Sequence, residues 1–269
     1  MCHIKKAFLM LMGLVIIAEC GGCNIFVSEI GLKHTLENAL EEKYDEEFEC
    51  LDVWANGGVS YWGICSPKKN KDIRFKVLFW DDGNILEEGY YDSCVSEKIE
   101  KTLKNELNNI FDNFYLHSYF PVPLNSSKTY SYLVERVKEH LFDIEEYVNI
   151  ADAKWPNSGA SISLIICVNS SSPNKLSFEK EYDMLSSIIQ KLNNVGIRTY
   201  TYLKILPEER YLECIEYLEK KASINSQFDD MVRDYPVCAS QTKLNIHFEC
   251  EGILDELLTK EEYINQRKE

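Results

Sequence analysis

Phe48-Glu-Cys-Leu-Asp-Val-Trp-Ala-Asn-Gly-Gly-Val-Ser-Tyr-Trp-Gly-Ile-Cys65, followed after a polar turn by Ile73-Arg-Phe-Lys-Val-Leu-Phe-Trp80, points to an antiparallel meander. Three strand-like runs are visible in it: Phe48–Trp54, Val59–Cys65 and Ile73–Trp80. Asn56-Gly57-Gly58 joins the first two, a hairpin signal because Asn and Gly tolerate positive φ. Pro67-Lys-Lys-Asn-Lys71 joins the second and third. In the third run Ile73, Phe75, Val77 and Phe79 alternate with Arg74 and Lys76, so one face is buried and the other wet. Asp81-Asp-Gly-Asn84 then makes a turn.

Helical periodicity flanks the meander. Leu32, Leu36, Ala39, Leu40 and Lys43 follow helical spacing upstream. Downstream, Val95, Ile99, Leu103, Leu107 and Ile110 form an apolar stripe, with Glu97, Lys98, Glu100, Lys101 and Lys104 outside it and Ser93 or Ser96 as the cap. Phe114–Phe120 reads as a further strand closed by Pro121 and Pro123. Helix, three-strand meander, helix, strand makes residues 31–124 an α+β unit, with helices packed across an antiparallel sheet.

The polar stretch Leu124-Asn-Ser-Ser-Lys128 marks a boundary, and the rhythm changes over 125–269. A helix around Tyr130–Phe142 precedes a loop through Trp155-Pro156. Ile162–Val168 is nearly continuous apolar, as a strand covered on both faces would be. An amphipathic helix over Phe178–Leu192, a strand over Ile197–Ile205 and a helix from Pro207 to Leu218 follow. Residues 221–242 are weakly patterned, Leu244–Cys250 alternates as a last strand, and a charged helix ends the chain. The fold class expected is therefore α+β: a helix–antiparallel meander–helix part followed by an α/β sandwich part. One sheet extending through both parts is the alternative.

The N-terminus carries a location signal. Lys5 and Lys6 precede the apolar run Ala7–Ala18, and Cys20-Gly21-Gly22-Cys23 follows Glu19. This is the layout of a secretory signal, and the run is too short to span the ~30 Å hydrocarbon core of a bilayer as a helix. The segment resembles the precursors of bacterial lipoproteins, in which a cysteine after the apolar region is acylated. That resemblance makes Cys20 or Cys23 the lipid-attachment residue, although Glu19 stands where a small residue is expected before Cys20. Residues 1–22 are then the signal and 23–30 a tether, with cleavage after Gly22 and release as a secreted protein, or an uncleaved anchor, as the alternatives.

The chain's 29 Lys+Arg against 44 Asp+Glu give a net charge of −15. Removing residues 1–19 deletes two lysines and one glutamate, which takes the balance to −16. Such a chain repels phosphate backbones, so no nucleic-acid partner is expected, and it does not adhere to anionic membranes without a covalent anchor.

Local catalytic motifs are missing. His34, His117, His140 and His247 show no metal-ligand spacing, and Asp81–Asn84 lacks the ligand pattern of a calcium loop, so neither metal nor cofactor is expected. Ser66-Pro67-Lys68-Lys69 satisfies Ser-x-x-Lys only by count, in an inter-strand turn and without its partner motifs. Cys167, Cys214 and Cys250 fall at apolar positions and read as buried thiols. Cys50 and Cys65 form a candidate disulfide: with Gly57-Gly58 central in the turn they face each other, and with Asn56-Gly57 central Cys50 faces Gly63 instead.

Aromatics are the remaining candidates. Tyr61 and Trp62 follow the hairpin turn, Tyr90-Tyr91 lies beyond the Asp-Gly turn, and Tyr200 and Tyr202 share a strand face. They suit a peptide, a sugar or a partner protein, or else core packing. The signal and the stretch Leu40-Glu-Glu-Lys-Tyr44, with Asp45-Glu-Glu-Phe48 after it, resemble those of small lipoproteins and exported proteins of Gram-positive anaerobes. The resemblance covers roughly the first hundred residues and implies a place in the cell envelope. The expectation is a membrane-anchored extracytoplasmic binding module; the alternative is an exported enzyme, such as a hydrolase, with its site assembled across the two halves.

Overall fold

The computed structural model describes residues 28–120, 124, 131–156, 159–171, 175–221, 244–250 and 259–268, with backbone alone for 131, 217–221, 244–250 and 266. The signal, Cys20, Cys23 and most of the expected tether lie outside these residues. The fold is α+β: two four-stranded sheets, ordered β1-β2-β3-β4 and β5-β6-β7-β8, with helices between and around them.

Helix α1 (Glu29–Tyr44) begins inside the expected tether, because the Ser28 hydroxyl accepts the Gly31 N–H at 3.1 Å and caps it. It buries Leu32, Leu36, Leu40 and Tyr44 against the first sheet. Strands β1 (Phe48–Gly57), β2 (Ser60–Pro67) and β3 (Phe75–Trp80) form the meander, and a fourth antiparallel strand, β4 (Ile85–Glu88), extends it.

The β1–β2 register contains two bulges, one between Cys50 and Asp52 and one between Ala55 and Gly57. Gly57 pairs with Ser60, so Gly58 and Val59 are the central turn residues, unlike either register expected from the sequence. Gly58 has φ 63° and Val59 is not among the positive-φ residues, as in the hairpin turn that needs glycine only at its first central position. Each bulge shifts the pairing by one residue. Phe48, Cys50 and Val53 thereby all point into the core.

Helix α2 (Tyr90–Leu107) lies between the sheets, packing on β3 and on β5 (Phe114–Tyr119). Ser93 and Ser96 are interior to it and do not cap it. The Glu88 carboxylate instead accepts the Tyr90 N–H at 2.7 Å. Strand β5 pairs antiparallel with β6 (Ala160–Asn169), so the second sheet straddles the boundary expected near residue 125.

Between β5 and β6 come α3 (Ser131–Lys138) and α4 (Ile144–Lys154). Helix α4 was expected to be loop, but Asp143 caps it by accepting the Glu146 N–H at 2.9 Å. Strands β6 and β7 (Ile197–Leu206) are parallel, joined through α5 (Phe178–Asn194). Helix α6 (Glu208–Lys221) packs on β6, strand β8 (Leu244–Cys250) closes the sheet antiparallel to β7, and α7 (Lys260–Lys268) lies on α5.

Alternation splits β6 between two cores. Ile162, Leu164, Ile166 and Val168 join a core continuous from Leu32 to Tyr263, whereas Ile165 and Cys167 pack with Tyr211 and Cys214 of α6 on the other face. Both edge strands that follow a loop are capped by a helix. Glu37 of α1 accepts the Cys50 N–H at 2.8 Å and Lys33 donates to the Leu51 carbonyl at 3.0 Å. On β5, Glu100 of α2 accepts the Ser118 N–H at 2.6 Å and Ser96 donates to the Ser118 carbonyl at 2.8 Å.

Candidate functional site

The meander has one face in the core and one outside it. Phe75, Val77 and Phe79 point inward, and Lys76, Leu78 and Trp80 are half-buried on the other side. Register extends that outer face across the sheet: Trp62 is opposite Leu78, Trp54 opposite Trp62, Ile64 opposite Lys76 and Glu87 opposite Leu78. Three of the chain's four tryptophans, Trp54, Trp62 and Trp80, therefore share one face.

The rings on it are held in place. Trp62 donates its indole N–H to Asn56 Oδ1 at 2.7 Å, and the Lys76 ammonium sits 3.8 Å from the Trp62 ring centroid and 5.8 Å from that of Trp54. An ammonium over an indole face is attracted by the ring quadrupole. Burial lowers the pKa of Lys76, with the Glu87 carboxylate acting against that shift. The result is a broad aromatic surface interleaved with charges of both signs.

Beneath the same hairpin, on its inner side, Cys50 and Cys65 are register partners. Both are buried and both are thiols in this structure, and the Cys50 thiol donates to the Asp52 carbonyl at 3.5 Å. Burial, then contact with Cys50, pushes the Cys65 thiol well above its ordinary value.

A cleft of about 380 Å³ lies between Lys71–Arg74 and the free edge of β5, floored by α2. It gathers Ser96, Ser118, Glu100 and His117, which by residue type could make a hydrolytic site. Ser96 Oγ and Ser118 Oγ are 2.6 Å apart, and His117 Nδ1 is 3.6 Å from Glu100 Oε1. Successive strand residues point to opposite faces, however, so the His117 ring and the Ser118 hydroxyl diverge. Glu100 is held below the usual carboxylate range by His117 and Lys104 despite its burial. These side chains close a strand edge, and no nucleophile is aligned with a base.

The inner end of this cleft meets Asp92. Its Oδ1 accepts from the Leu124 N–H at 2.9 Å and from the Tyr147 hydroxyl at 2.8 Å, while Oδ2 is buried without a partner among the described residues. Burial pushes its carboxyl up to about 7. Sequence reasoning passed over this residue, since an aspartate near a helix start reads as a capping group.

The other residues expected from the sequence scatter. Tyr90 and Tyr91 are core residues: Tyr90 stacks on Phe75 at 4.7 Å and its hydroxyl donates to Glu46 at 2.6 Å, and Tyr91 is fully buried. Tyr61 packs against the main core and Tyr202 against the smaller one. Cys167 is a buried thiol, as expected, whereas Cys214 is held in a disulfide and is not free. No group of metal-ligating side chains is present among the described residues, and no described helix is long and apolar enough to cross a membrane.

No family model matches the sequence, and no curated protein matches it. Among solved structures, the chain is similar to the crystal structure of a DUF5037 family protein from Ruminococcus gnavus. The two superpose with a TM-score of 0.64 at 17% identity, over 88% of this chain and 98% of that one. At that identity the likeness is one of fold, and through it the chain shares an α+β architecture with that protein.

Proposed function

We propose that the protein is an extracytoplasmic binding module, tethered to the membrane through a lipid on Cys20 or Cys23, that holds a saccharide chain on the outer face of its first sheet. The observation that carries this reading is the placement of Trp54, Trp62 and Trp80, each half-buried, on the sheet face opposite the core. Indole faces bury the C–H face of a sugar ring. Lys76, Glu87 and the exposed Asp52 beside them supply hydrogen-bonding groups for hydroxyls. A protein partner fits less well, because the centre of a protein–protein patch is depleted of charge, and here Lys76 stands between the rings. The hydrolase alternative would need an aligned nucleophile, and Ser118 and His117 point to opposite faces.

The tryptophans are also the probe. Titration of the purified mature chain with soluble cell-wall glycan fragments is expected to shift and partly quench intrinsic fluorescence. The Trp62→Ala and Trp54→Ala variants should each weaken binding at least tenfold, with their folds checked by circular dichroism. Unchanged fluorescence with glycans and a saturable change with peptides would move the reading to a peptide binder. The tether is tested separately, by mass spectrometry of the protein from its native membrane: an unmodified Met1 rules out the lipid anchor.

A further inference from the structure

We infer that Cys50 and Cys65 are a reversible disulfide site that locks the β1–β2 hairpin beneath its tryptophans. The two residues are register partners and lie on the inner face, 5% and 0% exposed. Cys50 directs its N–H outward, to Glu37 Oε1 at 2.8 Å, so its main-chain groups face away from β2. The pair is therefore of the non-hydrogen-bonded kind, in which Cα atoms approach to about 4.5 Å and side chains are closest. That spacing lies within the range that a disulfide spans without backbone movement. The remaining described thiols are placed elsewhere: Cys94 is on α2 beside Tyr90, and Cys167 is in the second sheet.

The bond has a structural consequence that neither cysteine would have alone. With neither bulge, Gly57 opposite Ser60 would carry the ladder to Cys50 opposite Pro67; with only the bulge near the turn, Cys50 would face Ser66. Both bulges are needed to bring Cys50 to Cys65, and the bulge near the turn is what sets Trp54 opposite Trp62. A bond between the sulfurs fixes both, and so fixes the paired indoles on the other face of the same strands. A register slip of one residue would turn those side chains over.

The oxidant is a low-molecular-weight disulfide. Cys50 is 5% exposed, so exchange occurs when the edge strand β1 opens locally; its thiolate then attacks one of the oxidant's sulfurs and releases one small thiol, giving a mixed disulfide. The Cys65 sulfur, after losing its proton, then attacks Cys50 Sγ and releases the second. Two protein thiols become one disulfide, and one small disulfide becomes two small thiols.

The test uses the purified mature chain and glutathione redox buffers, and needs no ligand, so it stands whether or not the saccharide reading does. After acid quench, alkylation and non-reducing digestion, the oxidised chain should yield a peptide linking Cys50 to Cys65, 2 Da lighter than the two thiol peptides together, a value set by the loss of two hydrogens in the balance above. Amide exchange over 48–67 should slow in that form and recover on reduction. The Cys94→Ser variant should keep the linkage and Cys65→Ser should lose it. Recovery of both cysteines alkylated under excess oxidised glutathione, a stable glutathione adduct on Cys50, or a linkage through Cys94 would each overturn the inference.

Discussion

Asp92→Asn should convert a pH-dependent protein into a less pH-dependent one. Asp92 lies at the first turn of α2 and joins three elements: its Oδ1 takes the Leu124 N–H and the Tyr147 hydroxyl, and its Oδ2 has no partner among the described residues. Burial is the main cause of its raised carboxyl, about 7; the Leu124 and Tyr147 hydrogen bonds oppose the shift and the Glu88 carboxylate adds to it. The Lys154 ammonium also acts on this node, and the buried Tyr91 packs against Tyr147. An unfolded aspartate releases its proton near 4, so between about pH 4 and 7 the folded chain holds a proton that the unfolded chain does not.

The sign follows directly. Stability falls as pH rises through that window, by about 1.4 kcal/mol per pH unit, and is level above it. Between pH 5 and 7 the wild type should lose roughly 2 kcal/mol through this one group, which is half titrated at the upper limit. Asparagine keeps the oxygen that accepts both hydrogen bonds and cannot ionise. Its buried amide adds a constant penalty of roughly 1–3 kcal/mol, which does not change with pH. Urea unfolding of both proteins at pH 5, 6, 7 and 8 isolates the group, because carboxylates shifted the other way, such as Glu100, cancel in the difference. The variant should gain on the wild type by roughly 2 kcal/mol between pH 5 and 7 and level off by about pH 8. A difference that is flat over this range, or that favours the wild type as pH rises, would refute the reasoning.

Two further perturbations bear on the second sheet. Glu181 is buried, accepts from the Tyr263 hydroxyl and pairs with Arg267 at 2.8 Å, which docks α7 on α5. Arg267→Ala leaves that carboxylate uncompensated, so a loss of about 3–5 kcal/mol and early proteolysis around residues 259–268 are expected; undiminished unfolding midpoints would show the pair to be dispensable. Lys204 is 1% exposed and its Nζ has no hydrogen-bond partner among the described residues. Burial lowers its pKa, so wild-type stability rises as pH climbs toward the ordinary lysine value. Lys204→Met should raise Tm, and by more at pH 6 than at pH 9; a lower Tm at both would mean that the amine has a partner.

The three runs from Phe48 to Trp80 were legible because alternation and a Gly-rich turn act locally, and the structure keeps all three as strands. Strand β4 was not, since Ile85–Glu88 is short and half acidic, and it is held by pairing with β3. Helix α4 could have been read: Asp143 three residues before Glu146, ahead of Tyr147, Val148 and Ala151, is a capping signature followed by an apolar stripe. The Trp54–Trp62 pair was beyond reach. Trp62 was noted beside the turn, but Trp54 comes to it only through a bulge, and bulges leave no residue pattern that alternation can detect. The serines of α2 misled for a related reason: their hydroxyls bond Arg74 and Ser118, which are near in space and far in sequence.

Where recognition can occur is narrowed by how the strand edges are closed. An extended ligand can add to a sheet only where backbone N–H and C=O groups are unpaired. On β1, Glu37 and Lys33 take the Cys50 N–H and the Leu51 carbonyl, and on β5, Glu100 and Ser96 take both polar groups of Ser118. Each pair sits one helical turn apart on α1 or α2, the spacing that lets two side chains from one helix reach the same stretch of strand. Displacing them would cost each of two largely buried carboxylates a charge-assisted hydrogen bond from the main chain and leave Glu37 only His34, and Glu100 only Lys104 and His117, a costly exchange. Binding by strand addition at β1 or β5 is therefore opposed by the same contacts that hold α1 and α2 in place. On the outer face of the first sheet the indoles are held among the described residues by side chains alone, Trp62 by Asn56 and Lys76, so a ligand there would compete with the Lys76 ammonium but would break no main-chain hydrogen bond.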